Sequence, residues 1–85
     1  MMKDNVIFDV RTLSQALLPE LGERQSMSLI LFYFYGRRHA AYLLNISSCS
    51  VRDNIYRARI KLKHIYGITD VEAFLINRIL QKFIF

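Results

Sequence analysis

Residues 43–62 read LLNISSCSVRDNIYRARIKL. Apolar side chains recur there every three or four positions. Four of the last eleven residues are Arg or Lys, and Asp53 is the single acid. Val51, Ile55, Ala58, Leu62 and Ile65 follow a four-three-four-three spacing, which marks a helix with one buried stripe. At about 100° per residue, Asp53, Tyr56, Ile60 and Lys63 point away from that stripe. Arg52 and Arg59 fall on one flank, and Asn54, Arg57 and Lys61 on the other. One segment must therefore dock on a core and present positive charge to the outside.

The surroundings fit a string of helices. Asn45-Ile46-Ser47 is too short to be anything but a turn, so a short helix at 37–44 precedes it and a long one at about 48–65 follows. Ser47 or Ser50 caps the long helix, with Ser50-x-x-Asp53 a weak form of the capping box, and Gly67 stops it. Upstream, apolar residues lie nearly all round a segment at about 22–34, as in a buried central helix that ends at Gly36. Downstream, Thr69 caps a helix at about 70–82, with Asp70 and Glu72 near its positive end. At the N-terminus, residues 1–11 read as a lead-in, with VIFDV (6–10) a short extended piece. TLSQALL (12–18) forms a short helix that Pro19 stops.

Composition narrows the class. Eighty-five residues make one domain, and a chain 53% hydrophobic is too apolar to be disordered. Three Gly and one Pro favour helices over a turn-rich β fold. The longest apolar run, LILFYFY (29–35), falls far short of the roughly 20 residues of a membrane span. The first residues lack the features of a signal peptide, and one cysteine fits a reducing compartment. A cytoplasmic, intact protein with no membrane association is expected. The net charge of +5 is concentrated. Residues 37–63 hold seven bases against Asp53, a net of +6, and the remaining five bases and six acids net −1. A localised patch of this kind points to a polyanionic partner.

A short helix, a three-residue turn and a longer basic helix is the layout of helix-turn-helix DNA readers. The residues also resemble a family. AAYLLNISSCSVRDNIYRARIKL (40–62) is similar to the LuxR/GerE-type helix-turn-helix, whose consensus reads roughly I-A-x-x-L-x-I-S-x-x-T-V-K-x-H-x-x-x-I-x-x-K-L. The matching positions are Ala41, Leu44, Ile46, Ser47, Val51, Lys61 and Leu62, with Ser50 for Thr, Arg52 for Lys and Ala58 for Ile. Leu21 to Gln25 resembles the family's L-T-x-R-E opening, and the resemblance extends to about Leu80. Ala40, Gln25 and Asn54 depart from the usual Ile, Glu and His, and Asp53 adds an acid. RARIKL (57–62) also resembles the fourth region of bacterial sigma factors; the helix that follows it favours the LuxR/GerE reading.

The resemblance implies that the helix from Ser48 to Lys63 enters the major groove, with base or groove contacts at Ser48, Val51 and Arg52. It implies phosphate contacts near Asn54, Arg57 and Lys61. The helical wheel adds Tyr56 and Lys63 as groove-side candidates, with packing on a neighbouring helix as the other reading of Tyr56. Arg37 and Arg38 either touch phosphate or solvate the short helix.

The last segment, VEAFLINRILQKFIF (71–85), carries more apolar surface than one core needs. Val71, Ala73, Leu75, Ile76, Ile79, Leu80, Phe83 and Ile84 span about 220° of the wheel, where docking takes about 100°. A homodimer through Leu75, Ile76, Ile79, Leu80 and Phe83 is expected, as the resemblance also implies. Packing of the 6–10 segment on that face is the alternative. His39 and His64 have no partners at metal-ligand spacing, Cys49 reads as a small residue in a first helical turn, and no catalytic constellation is present. The chain is therefore read as all-α: a four-helix helix-turn-helix domain at 21–85 behind a short N-terminal extension at 1–20. It is expected to be a stand-alone bacterial transcription regulator that binds double-stranded DNA, with no enzyme activity, cofactor or metal. The alternative is an adaptor of the same fold that binds another regulator or RNA polymerase.

Overall fold

Helical periodicity organises the chain throughout residues 2–83, the part described in a computed structural model, with side chains described from Val10 on. Five helices follow one another: α1 Met2–Leu17, α2 Glu23–Tyr35, α3 Arg37–Leu44, α4 Ser48–Tyr66 and α5 Val71–Phe83. The protein is all-α, with no strand among the described residues. No described helix is long and apolar enough to cross a membrane.

The N-terminal extension differs from expectation. Residues 6–10 are not extended; they lie inside α1, which runs unbroken past Thr12. Val10, Leu13, Ser14 and Leu17 recur at helical spacing. Val10, Ser14 and Leu17 are buried, and Leu13 packs against the core. Burial of that stripe against α2, α3 and α5 outweighs the weak strand preference of β-branched residues. Pro19 ends the helix as expected, after Leu18 donates its N–H to the Ser14 carbonyl at 2.8 Å.

The middle of α2 is buried without interruption from Ser26 to Leu31. It is the central helix, touching α1, α3 and α4. Its end emerges from the core, leaving Phe34 and Tyr35 exposed. Gly36 closes it, donating its N–H to the Phe32 carbonyl at 2.9 Å with φ at +88°, a conformation that disfavours a side chain.

Between α3 and α4 the chain reverses within three residues. Asn45 takes the left-handed conformation, φ 57°, which Asn tolerates better than most residues. The Asn45 and Ile46 N–H groups bond to the Tyr42 and Ala41 carbonyls. Ser47 caps α4, accepting from the Ser50 N–H at 3.0 Å, so Ser47 and not Ser50 is the cap. Ala40, Ala41, Leu43, Val51 and Ile55 are buried where α2, α3 and α4 meet. The stripe of α4 buries Val51, Ile55, Ala58 and Leu62, but Ile65, in its last turn, is exposed. Gly67 ends α4 in the left-handed region. Asp70, not Thr69, caps α5, accepting from the Ala73 N–H at 3.0 Å.

A polar clamp ties the segment after α1 to α5. Glu20 accepts from Arg78 Nη2 at 2.6 Å and from the Tyr66 hydroxyl. Arg78 Nη1 reaches the Leu17 carbonyl at 2.8 Å, and the guanidinium lies 4.6 Å from the Phe74 ring centroid. The Arg78 hydrogen bond holds the Glu20 carboxyl at about 2, well below its ordinary 4.5, against the opposing effect of burial. The same pairing raises the pKa of Arg78.

Candidate functional site

Once the apolar stripe of α4 is buried, the rest of the helix is a charged surface. Arg52, Asp53, Tyr56, Arg57, Arg59, Ile60, Lys61 and Lys63 are exposed, as are Arg37 and Arg38 at the start of α3. The fold employs its acids elsewhere. Glu20 holds Arg78, Glu23 holds Arg11 at 2.9 Å, and Asp70 caps α5. On the basic face, Asp53 meets Arg52 Nε at 3.8 Å with both side chains mostly exposed, a contact worth little in water. Among the described residues no other base between Arg37 and Lys63 makes an ion pair. The +6 of this region therefore stands almost unneutralised on α3 and α4.

That face has relief. Arg52, Ile55, Tyr56 and Arg59 stand at i, i+3, i+4 and i+7 along α4, with Phe32 of α2 and Arg37 of α3 beside them. Together they line an open hollow of about 230 Å³. Arg59 was not among the residues anticipated for the site, although it shares the flank of Arg52 on the helical wheel. Its neighbours Phe32 and Arg37 come from other helices, and only the fold brings them there. Tyr56 stands on the surface, 65% exposed, and is not absorbed into helix packing.

Other anticipated residues lie elsewhere. Val51 is fully buried, so its side chain belongs to the core and is not on the surface. Asn54 is half-buried; its Nδ2 donates to Ser28 Oγ at 3.1 Å and fastens α4 to α2. It borders a second hollow, of about 140 Å³, shared with Arg11, Arg24 and Met27. Ser48 is half-buried in the first turn of α4. On α5, Leu75 is buried and Ile79 packs against the core, so Leu75 is not open to a partner. Ile76, Leu80 and Phe83 remain exposed, at 37%, 38% and 60%. The terminal Ile84 and Phe85 lie outside the described residues.

No group of three or more His, Cys, Asp or Glu gathers into a metal-binding arrangement among the described residues. The His39 ring lies near Tyr35 and Tyr42, tilted to both, with ring centroids 5.1 and 6.3 Å away. No family model, curated protein or solved structure matches the chain.

Proposed function

We propose that the chain is a transcription regulator of bacterial type that binds duplex DNA in the cytoplasm. In this reading α3, its turn and α4 form a helix-turn-helix of the LuxR/GerE kind, and α4 enters the major groove. The observation that carries it is the division of charge: Glu20, Glu23 and Asp70 pair or cap away from α4, while the bases of α4 stay exposed beside a tight three-residue turn, with only the long Arg52–Asp53 contact among them. An α-helix fits the major groove, Arg reads guanine edges, and flanking bases hold phosphates. Arg52, Tyr56 and Lys63 lie on the groove side, with Ser48 at the entry. Arg37, Arg38, Arg57 and Lys61 contact the backbone.

The protein binds as a homodimer through the exposed part of α5. Ile76, Leu80 and Phe83 supply the apolar surface. Glu72 in the first turn and Lys82 in the last would meet across an antiparallel pair of the same helix. The test is fluorescence anisotropy on a labelled duplex, titrated across salt, for the wild type and Arg57→Ala. Affinity falls steeply with log salt, and the mutant loses about one unit of slope. A folded protein that does not bind duplex at low salt refutes the reading.

One observation favours a second reading. Ile60 is 49% exposed and Asp53 is also exposed on the outward side of α4, and neither side chain suits a phosphate surface. An adaptor that docks this face on another regulator or RNA polymerase would use both. Co-purification of a stoichiometric protein partner, together with absence of salt-sensitive DNA binding, selects it.

A further inference from the structure

The bases of the α3–α4 face are not equivalent. Arg57 and Lys61 lie on one flank of α4, Arg52 and Arg59 on the other, and only the second flank borders the 230 Å³ hollow with Arg37. Three arginine side chains border this one concavity, more positive charge than a single carboxylate requires, and their aliphatic stems form much of its wall. A phosphate brings more charge and more acceptor oxygens, and arginine forks suit it. The hollow is also many times larger than one water needs, so a bare ion would not fill it. Its floor is apolar: Ile55 is 6% exposed, Phe32 is half-buried, and the Tyr56 ring stands free at the edge. Arg52 touches Asp53 through Nε at 3.8 Å, too long to hold its guanidinium in place, and neither Arg37 nor Arg59 makes an ion pair among the described residues.

We infer that this hollow is a discrete seat for a phosphate ester. The phosphate lies among Arg37, Arg52 and Arg59, and the sugar or base attached to it rests on Phe32 and Ile55 against Tyr56. The phosphate comes either from a DNA strand or from a free nucleotide. The inference goes beyond the DNA reading and stands without it.

The test is an NMR titration of the ¹⁵N-labelled full chain with 5′-deoxyadenosine monophosphate, inorganic phosphate and deoxyadenosine. The nucleotide saturates and shifts the amides of Arg37 and of 52–59, while phosphate alone and the nucleoside each bind about tenfold more weakly or worse. Arg59→Ala, exposed and expected to fold, weakens the nucleotide about tenfold or more, as loss of a charge-assisted hydrogen bond does. Arg57→Ala changes it less than about twofold. Equal weakening in both variants overturns the seat, because the charge then acts diffusely. Nucleotide binding no tighter than inorganic phosphate also overturns it, because the floor is then unused. Absence of saturation has the same consequence. Displacement of a labelled duplex by the nucleotide supports the seat and assigns the phosphate to the DNA strand. Saturable nucleotide binding by a protein that binds no duplex supports the seat with a free nucleotide as ligand, even as the DNA reading fails.

Discussion

Replacing Glu20 by Gln removes one charge from the clamp that joins the α1–α2 segment to α5, and its effect can be worked out from the geometry. A carboxyl held at about 2 where its ordinary value is 4.5 favours the folded state by up to about 3 kcal/mol when ionised. Solvent reduces this, because the Arg78 and Glu20 side chains are 27% and 15% exposed. A range of about 1–3 kcal/mol is expected at pH 7. Against the roughly 4–13 kcal/mol expected for a chain of this length, that is a large share. Because the folded value is depressed, the contribution is complete above about pH 4.5 and disappears as pH falls towards 2. Urea unfolding followed by far-ultraviolet circular dichroism at pH 7, 5, 4 and 3 measures it. Wild type and Glu20→Gln differ most at neutral pH and converge as the solution is acidified. A gap below about 0.5 kcal/mol at pH 7, or one of constant size down to pH 3, refutes the reasoning.

Asn54→Ala loses the bond to Ser28 and lowers stability by about 1 kcal/mol in urea unfolding, while its salt dependence on duplex matches wild type. Ser47→Ala removes the cap of α4 and costs about 1 kcal/mol, again by urea unfolding. Phe83→Glu places charge on the exposed apolar face of α5; sedimentation velocity shows a shift from dimer to monomer, while the circular dichroism spectrum keeps its helical form.

The sequence carried the central helices well because their signals are local. Gly36, the Asn45-Ile46-Ser47 turn, Ser47 and Gly67 fix α3 and α4 to within a residue. What it concealed depended on partners distant in the chain. Residues 6–10 look like a strand until Val10, Leu13 and Leu17 find α2 and α5. Ile65 continues the stripe of α4 in sequence but is exposed at the helix end. The apolar arc of α5 divides between the core, which takes Leu75, and the outside, which keeps Ile76, Leu80 and Phe83. For the candidate site, the wheel placed Arg52 and Arg59 together. It gave no sign that Ser28 would take Asn54, or that Phe32 and Arg37 would turn one flank into a hollow.

The crowding of like charge on α3 and α4 has a consequence for how the molecule responds to salt. Seven bases on two adjoining helices repel one another, and Asp53 is the single acid among them. Added salt, with a Debye length near 10 Å at 0.1 M, weakens that repulsion more than it weakens the half-buried Glu20–Arg78 pair. The melting temperature should therefore rise with ionic strength over the same range in which affinity for a polyanion falls. Under the proposed DNA reading, folding and binding respond to salt in opposite directions, and the conditions that best preserve the protein on the bench are those in which its basic face would hold least.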